Sequence, residues 1–236
     1  MKRGIPTTLS QETLPVENKM KKKQIIESTA EFIKARLKGE GSGHDWWHIY
    51  RVWRTAIKIN EQEKGDNFII QLAALLHDVA DWKFHDGNEE IGPQLAREWL
   101  EGSDVDKRVI RNVCQIIRDI SFKGAGVITQ MKTPEGMIVQ DADRLDAIGA
   151  IGIARAFAYG GSKGREIYNP DIMPESHNSF EQYKKSKGTS VNHFYEKLLL
   201  LKDLMNTKTA RKIAKKRHDV MVDFLVHFHN EWKGVE

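Results

Sequence analysis

Apolar residues recur along this chain at intervals of three and four, and almost nowhere in alternation, so the pattern predicts helix after helix and no sheet. Ile25, Ile26, Ala30, Ile33 and Leu37 make one stripe, which stops near Gly39 and Gly41, residues suited to ending a helix. A second helix is expected from about Asp45 through Val52, Ala56 and Ile59 to Gly65. Asp66 reads as the N-cap of a third, Phe68 to about Val79, whose Ala and Leu content predicts deep burial. Another runs from Asn88 to Leu100 and is ended by Gly102. Ser103 with Asp106 reads as a capping box for the helix carrying Val109, Val113, Ile116 and Ile117. Thr133-Pro134-Glu135 supplies an N-cap, a first-turn proline and an early acid for a helix expected to reach about Tyr159. Residues 160–190 hold Gly160, Gly161, Gly164, Pro170, Pro174 and Gly188 among many Lys and Ser, and predict a long polar loop. Loops of that length in compact domains often serve as lids or binding elements. Two last helices follow, about Val191 to Met205 and Thr207 to Trp232. Residues 1–22 hold Pro6 and Pro15, show no period and read as a flexible tail, with Met20 as an alternative translation start. The expectation is one all-α domain over residues 23–236, with a long loop inserted before the last two helices.

Composition narrows the function. Hydrophobic residues make up 40% of the 236, enough for a core, and charged residues 30%, enough for a solvated surface. The net charge of +4 comes from Lys and Arg interleaved with Asp and Glu along the whole chain. That distribution suits a local site for an anion better than a nucleic-acid face, whose only dedicated support is the run Lys21-Lys22-Lys23. The single cysteine, Cys114, rules out an internal disulfide and reads as a packing residue in a reducing compartment. No apolar run reaches membrane-spanning length, and no leader core is present, so the cytoplasm is expected.

Candidate chemistry lies on three of the expected helices: His48, the pair His77-Asp78, and Asp143. Two imidazoles and two carboxylates form a ligand set for a divalent cation held by nitrogen and oxygen. Polar groups in apolar helix centres each need a buried partner, and a metal answers for all four. Taken singly, His48 reads as a buried histidine with a hydrogen-bond partner, and His77-Asp78 as a helix end meeting solvent. Other His-Asp dipeptides occur at His44, His85 and His218, but only His77-Asp78 follows Ala-Ala-Leu-Leu. Asp141, Asp143 and Asp146 crowd three carboxylates into six residues and repel one another unless cations intervene. Asp143, Asp146, Ala147 and Ala150 share one face if the helix is continuous.

The ordered series of H-x-x-R-V at His48–Val52, L-L-H-D at Leu75–Asp78 and A-D-R-L-D at Ala142–Asp146 resembles the HD superfamily of metal-dependent phosphohydrolases. The wording GHDWWHIYRVW, HDVADWKF, QDADRLDAIGAIGIAR and NHFYEKLLLLKDLMNTKTA is similar to a bacterial subfamily of small standalone members, over roughly residues 24–232. The resemblance implies an HD-type helical bundle with His48, His77, Asp78 and Asp143 as ligands to one divalent ion. Mn²⁺ is favoured, and Mg²⁺, Fe²⁺, Co²⁺ or Ni²⁺ suit the same donors. Asp143 is preferred to Asp141 because Ala142-Asp143-Arg144 fits the family's context. Asp81 matches a carboxylate position that assists the attacking water in some members, where Glu is common. Arg51, Lys83, Lys123 and Arg144 become candidates for holding phosphate charge, with Ser121 and Lys123 placed to meet substrate at the site mouth.

Departures from family patterns narrow the expected reaction. Only His85 falls between the His-Asp pair and Asp143, which argues against a second metal. Asp81-Trp82 replaces the Glu-Asp of alarmone hydrolases. The expected partner is a small phosphorylated molecule, a nucleotide, and the expected reaction is hydrolysis of nucleoside triphosphates with release of pyrophosphate. The alternatives are a nucleotidase or other phosphomonoesterase, or a non-catalytic module that binds nucleotide or nucleic acid. No membrane partner is expected, and long amphipathic helices leave a homodimer open. Trp46, Trp47, Trp53 and Trp99 read as packing anchors, and Lys184, Lys185 and Lys187 as solvated. Gly160-Gly161-Ser162-Lys163-Gly164 lacks the spacing of a phosphate-binding loop. On the last helix, His218, His227 and His229 read as surface or packing residues.

Overall fold

The computed structural model describes residues 13–39, 45–80, 90–120, 131–175 and 188–235, with side chains from Glu17 onward. The expected all-α architecture is the observed one: among the described residues there are nine α-helices and no strand. They are α1 (Thr13–Arg36), α2 (Trp46–Glu63), α3 (Asn67–Leu76), α4 (Ile91–Gly102), α5 (Lys107–Asp119), α6 (Pro134–Asp146), α7 (Gly149–Ser162), α8 (Asn192–Glu196) and α9 (Lys208–Trp232). A 3₁₀ segment, Leu198–Leu204, joins α8 to α9.

Short polar side chains start these helices where the sequence offers them. Asp45 accepts from the backbone of His48, Asp66 from Phe68 and Ile69, and Thr133 from Gly136, with Pro134 in the first turn of α6. Asp106 alone caps α5, by accepting from Arg108; Ser103 instead closes α4, its hydroxyl donating to the Trp99 carbonyl. The expected capping box is therefore two separate caps. Helix α1 begins at Thr13 and so crosses part of the segment read as a tail. Pro15 falls in its first turn, where a missing N–H costs nothing. Lys21 reaches Asp104 at 2.7 Å, and Lys22 lies 5.2 Å from the centre of the Phe68 ring, so the helix is docked on both sides.

The largest departure falls after Asp146. The single helix expected from Thr133 to Tyr159 is broken at Ala147–Ile148 into α6 and α7. Gly149 sits at φ +78°, a conformation that side chains disfavour, and a Cβ there would lie 3.0 Å from Arg217 of α9. Likewise, the expected helix from Val191 to Met205 resolves into α8 and the 3₁₀ segment.

The core is a stack of α2, α3 and α6, with α5 and α1 against α3 and with α9 against α6 and α7. Ile49, Val52, Ala56, Leu72, Leu75, Leu76, Ile138, Val139, Ala142 and Leu145 are buried in it. Cys114 is buried, as expected. Trp99 stacks on Phe32 with ring centres 4.0 Å apart, and Trp53 donates to Gln71, so both anchor packing. Trp47 does not: it is 60% exposed, because its position on α2 faces away from α3 and α6. Among the described residues, no helix is long and apolar enough to cross a membrane. The glycine-rich run at 160–164 forms the C-terminal end of α7, the end that repels phosphate.

Candidate metal centre

Three elements of the core stack deliver the polar cluster. His48 lies in the first turn of α2, on the face turned to α6. Helix α3 ends at Leu76, three residues before the expected Val79, and His77-Asp78 form the turn that follows. That turn is braced from outside, since Arg36 at the end of α1 donates to the Val79 carbonyl at 2.9 Å. Asp143 projects from α6 toward the same point.

The distances close on a small volume. His48 Nε2 lies 3.3 Å from His77 Nε2, 3.4 Å from Asp78 Oδ2 and 3.5 Å from Asp143 Oδ1. His77 Nε2 lies 3.5 Å from Asp78 Oδ2 and 3.8 Å from Asp143 Oδ1. Both histidines are buried, while the Asp78 and Asp143 side chains keep 21% and 35% exposure, so the cluster opens on the carboxylate side.

Hydrogen bonds fix what each atom offers. His77 Nδ1 meets the Ala74 carbonyl at 2.9 Å, and a carbonyl only accepts, so that nitrogen carries the proton. His48 Nδ1 meets Asp146 Oδ2 at 2.7 Å, which makes it a donor as well. With both Nδ1 atoms donating, the two Nε2 atoms are the ring nitrogens that face the carboxylates, and each offers a lone pair when its ring is neutral. Burial opposes charge on His48, but the bond to Asp146 and the carboxylates of Asp78 and Asp143 overcome it and raise its pKa to about 9. The cluster thus draws positive charge. Ligand atoms about 2.1 Å from a common centre stand roughly 3.0–3.5 Å apart, close to the separations seen. The ligand atoms of His48, His77 and Asp78 all lie within 4.8 Å of one another and fit a divalent ion, with Asp143 placed beside the two imidazoles.

The structure also shows what the sequence did not assign. Asp146 is buried behind His48 and accepts from Arg51 Nε at 2.7 Å, Arg51 Nη2 at 3.0 Å and Arg155 Nη1 at 2.6 Å. Asp141, the rival to Asp143, points to the opposite side of α6. It accepts from the backbone and side chain of Asn206 and of Thr207 at 2.8–2.9 Å, and so holds the start of α9. Burial raises the Asp141 pKa against those four donors. Arg144 is nine-tenths buried and donates to the Leu204 carbonyl, away from the mouth of the cluster. Arg51 is half-turned to solvent but commits two N–H groups to Asp146. Asp81, Lys83, His85, Ser121 and Lys123, with Lys184, Lys185 and Lys187, lie outside the described residues.

A helical core presenting a His/Asp cluster of this kind suits a metal-dependent hydrolase. Comparison with known proteins specifies which. The HD domain family matches residues 46–148, the span from the start of α2 to just beyond Asp146. Protein YpgQ of Bacillus subtilis (strain 168) is 38% identical over 92% of this chain and 98% of its own length. A crystal structure of an HD-superfamily hydrolase from Bacillus thuringiensis is similar with a TM-score of 0.71 at 47% identity, covering 90% of this chain and 98% of that one. The crystal structure of Bacillus subtilis YpgQ in complex with ADP gives a TM-score of 0.70 at 36% identity, over 89% of this chain and all of that one. The chain belongs to the HD superfamily and is a metal-dependent phosphohydrolase.

Proposed function

We propose that the chain hydrolyses nucleoside triphosphates to monophosphate and pyrophosphate, with one divalent ion held by His48, His77, Asp78 and Asp143. The observation that carries this reading is that the Nε2 atoms of His48 and His77 stand 3.3 Å apart and each lies 3.4–3.8 Å from Asp78 Oδ2 and Asp143 Oδ1, at a site open on its carboxylate side. The nucleotide class is supported by the ADP bound to the YpgQ relative.

A divalent ion at such a site supplies positive charge to a phosphoryl oxygen and eases ionisation of water near neutral pH. The chain supplies the rest. Asp78 and Asp143 orient what enters from the open side. Arg51 and Arg155 bring two guanidiniums to the single carboxylate of Asp146, which leaves a surplus of positive charge beside the cluster for a polyphosphate. Asp81, three residues beyond Asp78, takes the proton of the attacking water; Lys83, Lys123 and Ser121 bind phosphate oxygens. Arg144 acts on the site through the charge it places beside Asp143, its guanidinium being spent on Leu204.

The test is a turnover screen of metal-stripped protein against nucleoside mono-, di- and triphosphates, with and without Mn²⁺, scoring pyrophosphate and orthophosphate separately. Metal-dependent pyrophosphate release is expected, reduced about 100- to 1000-fold in Asp78→Ala, on the order of losing a dominant electrostatic group. Orthophosphate from monophosphates would identify a nucleotidase instead, and bound Mn²⁺ without turnover a non-catalytic module.

A further inference from the structure

Asp146 is a buried carboxylate on the far side of His48 from the cluster, and it has more partners than a packing residue needs. Its Oδ1 accepts from Arg51 Nε, and its Oδ2 from Arg51 Nη2, Arg155 Nη1 and His48 Nδ1. With guanidinium donors on both oxygens, neither has room for a proton. The 2.7 Å separation from His48 Nδ1 must then be spanned by the proton of the imidazole. Arg155 Nη1 also stands 3.2 Å from His48 Nδ1, but two donors facing each other there are tolerated only because both point at the same Asp146 oxygen. The consequence reaches the other side of the ring: in the neutral imidazole Nε2 carries the lone pair, and the ring plane is set by a carboxylate that is itself clamped from α2 and from α7.

We propose that Asp146, braced by Arg51 and Arg155, is the positioning residue of the metal centre: it holds His48 in the tautomer and orientation that present Nε2 to the ion. This rests on the reading of the four-residue cluster as that centre. The arrangement matches a general rule, in which a ligating histidine donates its other nitrogen to a carboxylate that fixes its geometry. Here the carboxylate sits one helical turn beyond Asp143 on α6, and Arg51 one turn beyond His48 on α2. Two pairs at i and i+3 on facing helices thus build the ligands and their support together. Arg155 completes the clamp only because the chain breaks after α6.

The experiment measures Mn²⁺ affinity by calorimetry and by the electron paramagnetic resonance of the bound ion. The proteins are wild type, Asp146→Asn, Asp146→Glu and Asp141→Asn, each held well below its melting midpoint. Asp146→Asn should weaken Mn²⁺ binding about 10- to 100-fold and broaden the bound spectrum, with Asp146→Glu recovering part of the affinity. Asp141→Asn removes an equally buried carboxylate from the same helix, but one tied to Asn206 and Thr207; it should lower the melting midpoint and leave Mn²⁺ affinity within about threefold of wild type. Equal effects of the two Asn variants, or wild-type affinity in Asp146→Asn, would overturn the positioning role. Failure of the wild type to bind Mn²⁺ would overturn the metal-centre reading and the proposal with it. Wild-type protein loaded with Zn²⁺ gives a check that needs no variant: ¹⁵N spectra of labelled histidine should show His48 protonated at Nδ1, and protonation at Nε2 overturns the assignment.

Discussion

Asp141 and Asp143 stand two residues apart on one helix, and their surroundings give them opposite work. Positions i and i+2 point to nearly opposite sides of an α-helix, so only one of the two can face His48. Asp143 turns to the cluster; Asp141 turns to α9 and accepts from the N–H of Asn206 and Thr207 and from both of their side chains. Asp141→Asn keeps the shape but turns one accepting oxygen into a donor. The backbone N–H groups it would face cannot reverse. The expected cost is about 2–3 kcal/mol, read as a fall in the urea midpoint at unchanged slope, and a cost under about 0.5 kcal/mol would refute the account. The sequence showed both carboxylates, and the family context favoured Asp143. What it could not show was which face of α6 meets α2, since buried residues, several of them polar, lie on almost every side of this helix. Asp146 was visible in the same way, three residues past Asp143 and opposite the His48–Arg51 pair, but its role depends on a register between two helices that no single-chain pattern encodes.

At the scale of elements, the pattern of apolar positions located most helices, because burying one face imposes the 3.6-residue period. Side-chain caps at Asp45, Asp66 and Thr133 marked three of the starts. The break between α6 and α7 was not legible. Ala147-Ile148-Gly149-Ala150 keeps the helical period through the break, and alanine and glycine read equally well as a close helix contact. The break has a function in the site: a continuous helix would carry Arg155 about 13.5 Å along the axis from Asp146, whereas the turn brings its guanidinium to 2.6 Å. Gly152 guards that turn, since a Cβ there would fall 2.2 Å from the Ala147 carbonyl oxygen, which is backbone and cannot swing away. Gly152→Ala should therefore destabilise the protein by about 1–3 kcal/mol and displace α7. Because α7 carries Arg155, Mn²⁺ affinity should fall with it. A variant as stable as wild type, with unchanged affinity, would show that the turn tolerates the methyl group.

For the molecule as a whole, the proposed ligand atoms come from positions 95 residues apart in the chain, from His48 to Asp143, and meet only when α2, α3 and α6 pack. An unfolded chain does not assemble that set, so an ion bound by it stabilises the native state by mass action. At a free Mn²⁺ concentration a hundred times the dissociation constant, the gain is about 2.7 kcal/mol. For a domain of this size each kcal/mol moves the melting midpoint by about 2–4 °C, which predicts a rise of about 5–11 °C on adding Mn²⁺ to metal-stripped protein. Excess chelator should reverse it. Asp78→Ala removes one of the two carboxylates at the mouth and should flatten the response without unfolding the chain, because the Asp78 side chain is partly exposed and outside the apolar core. A shift of equal size in that variant would place the stabilising ion elsewhere on the molecule. No shift in the wild type would mean that the four acceptors hold together without an ion, and that the charge the cluster draws is a proton on His48. The outcome therefore distinguishes a metal centre from a buried imidazolium held among carboxylates, two states that the same four residues can support and that differ in whether the fold depends on metal supply.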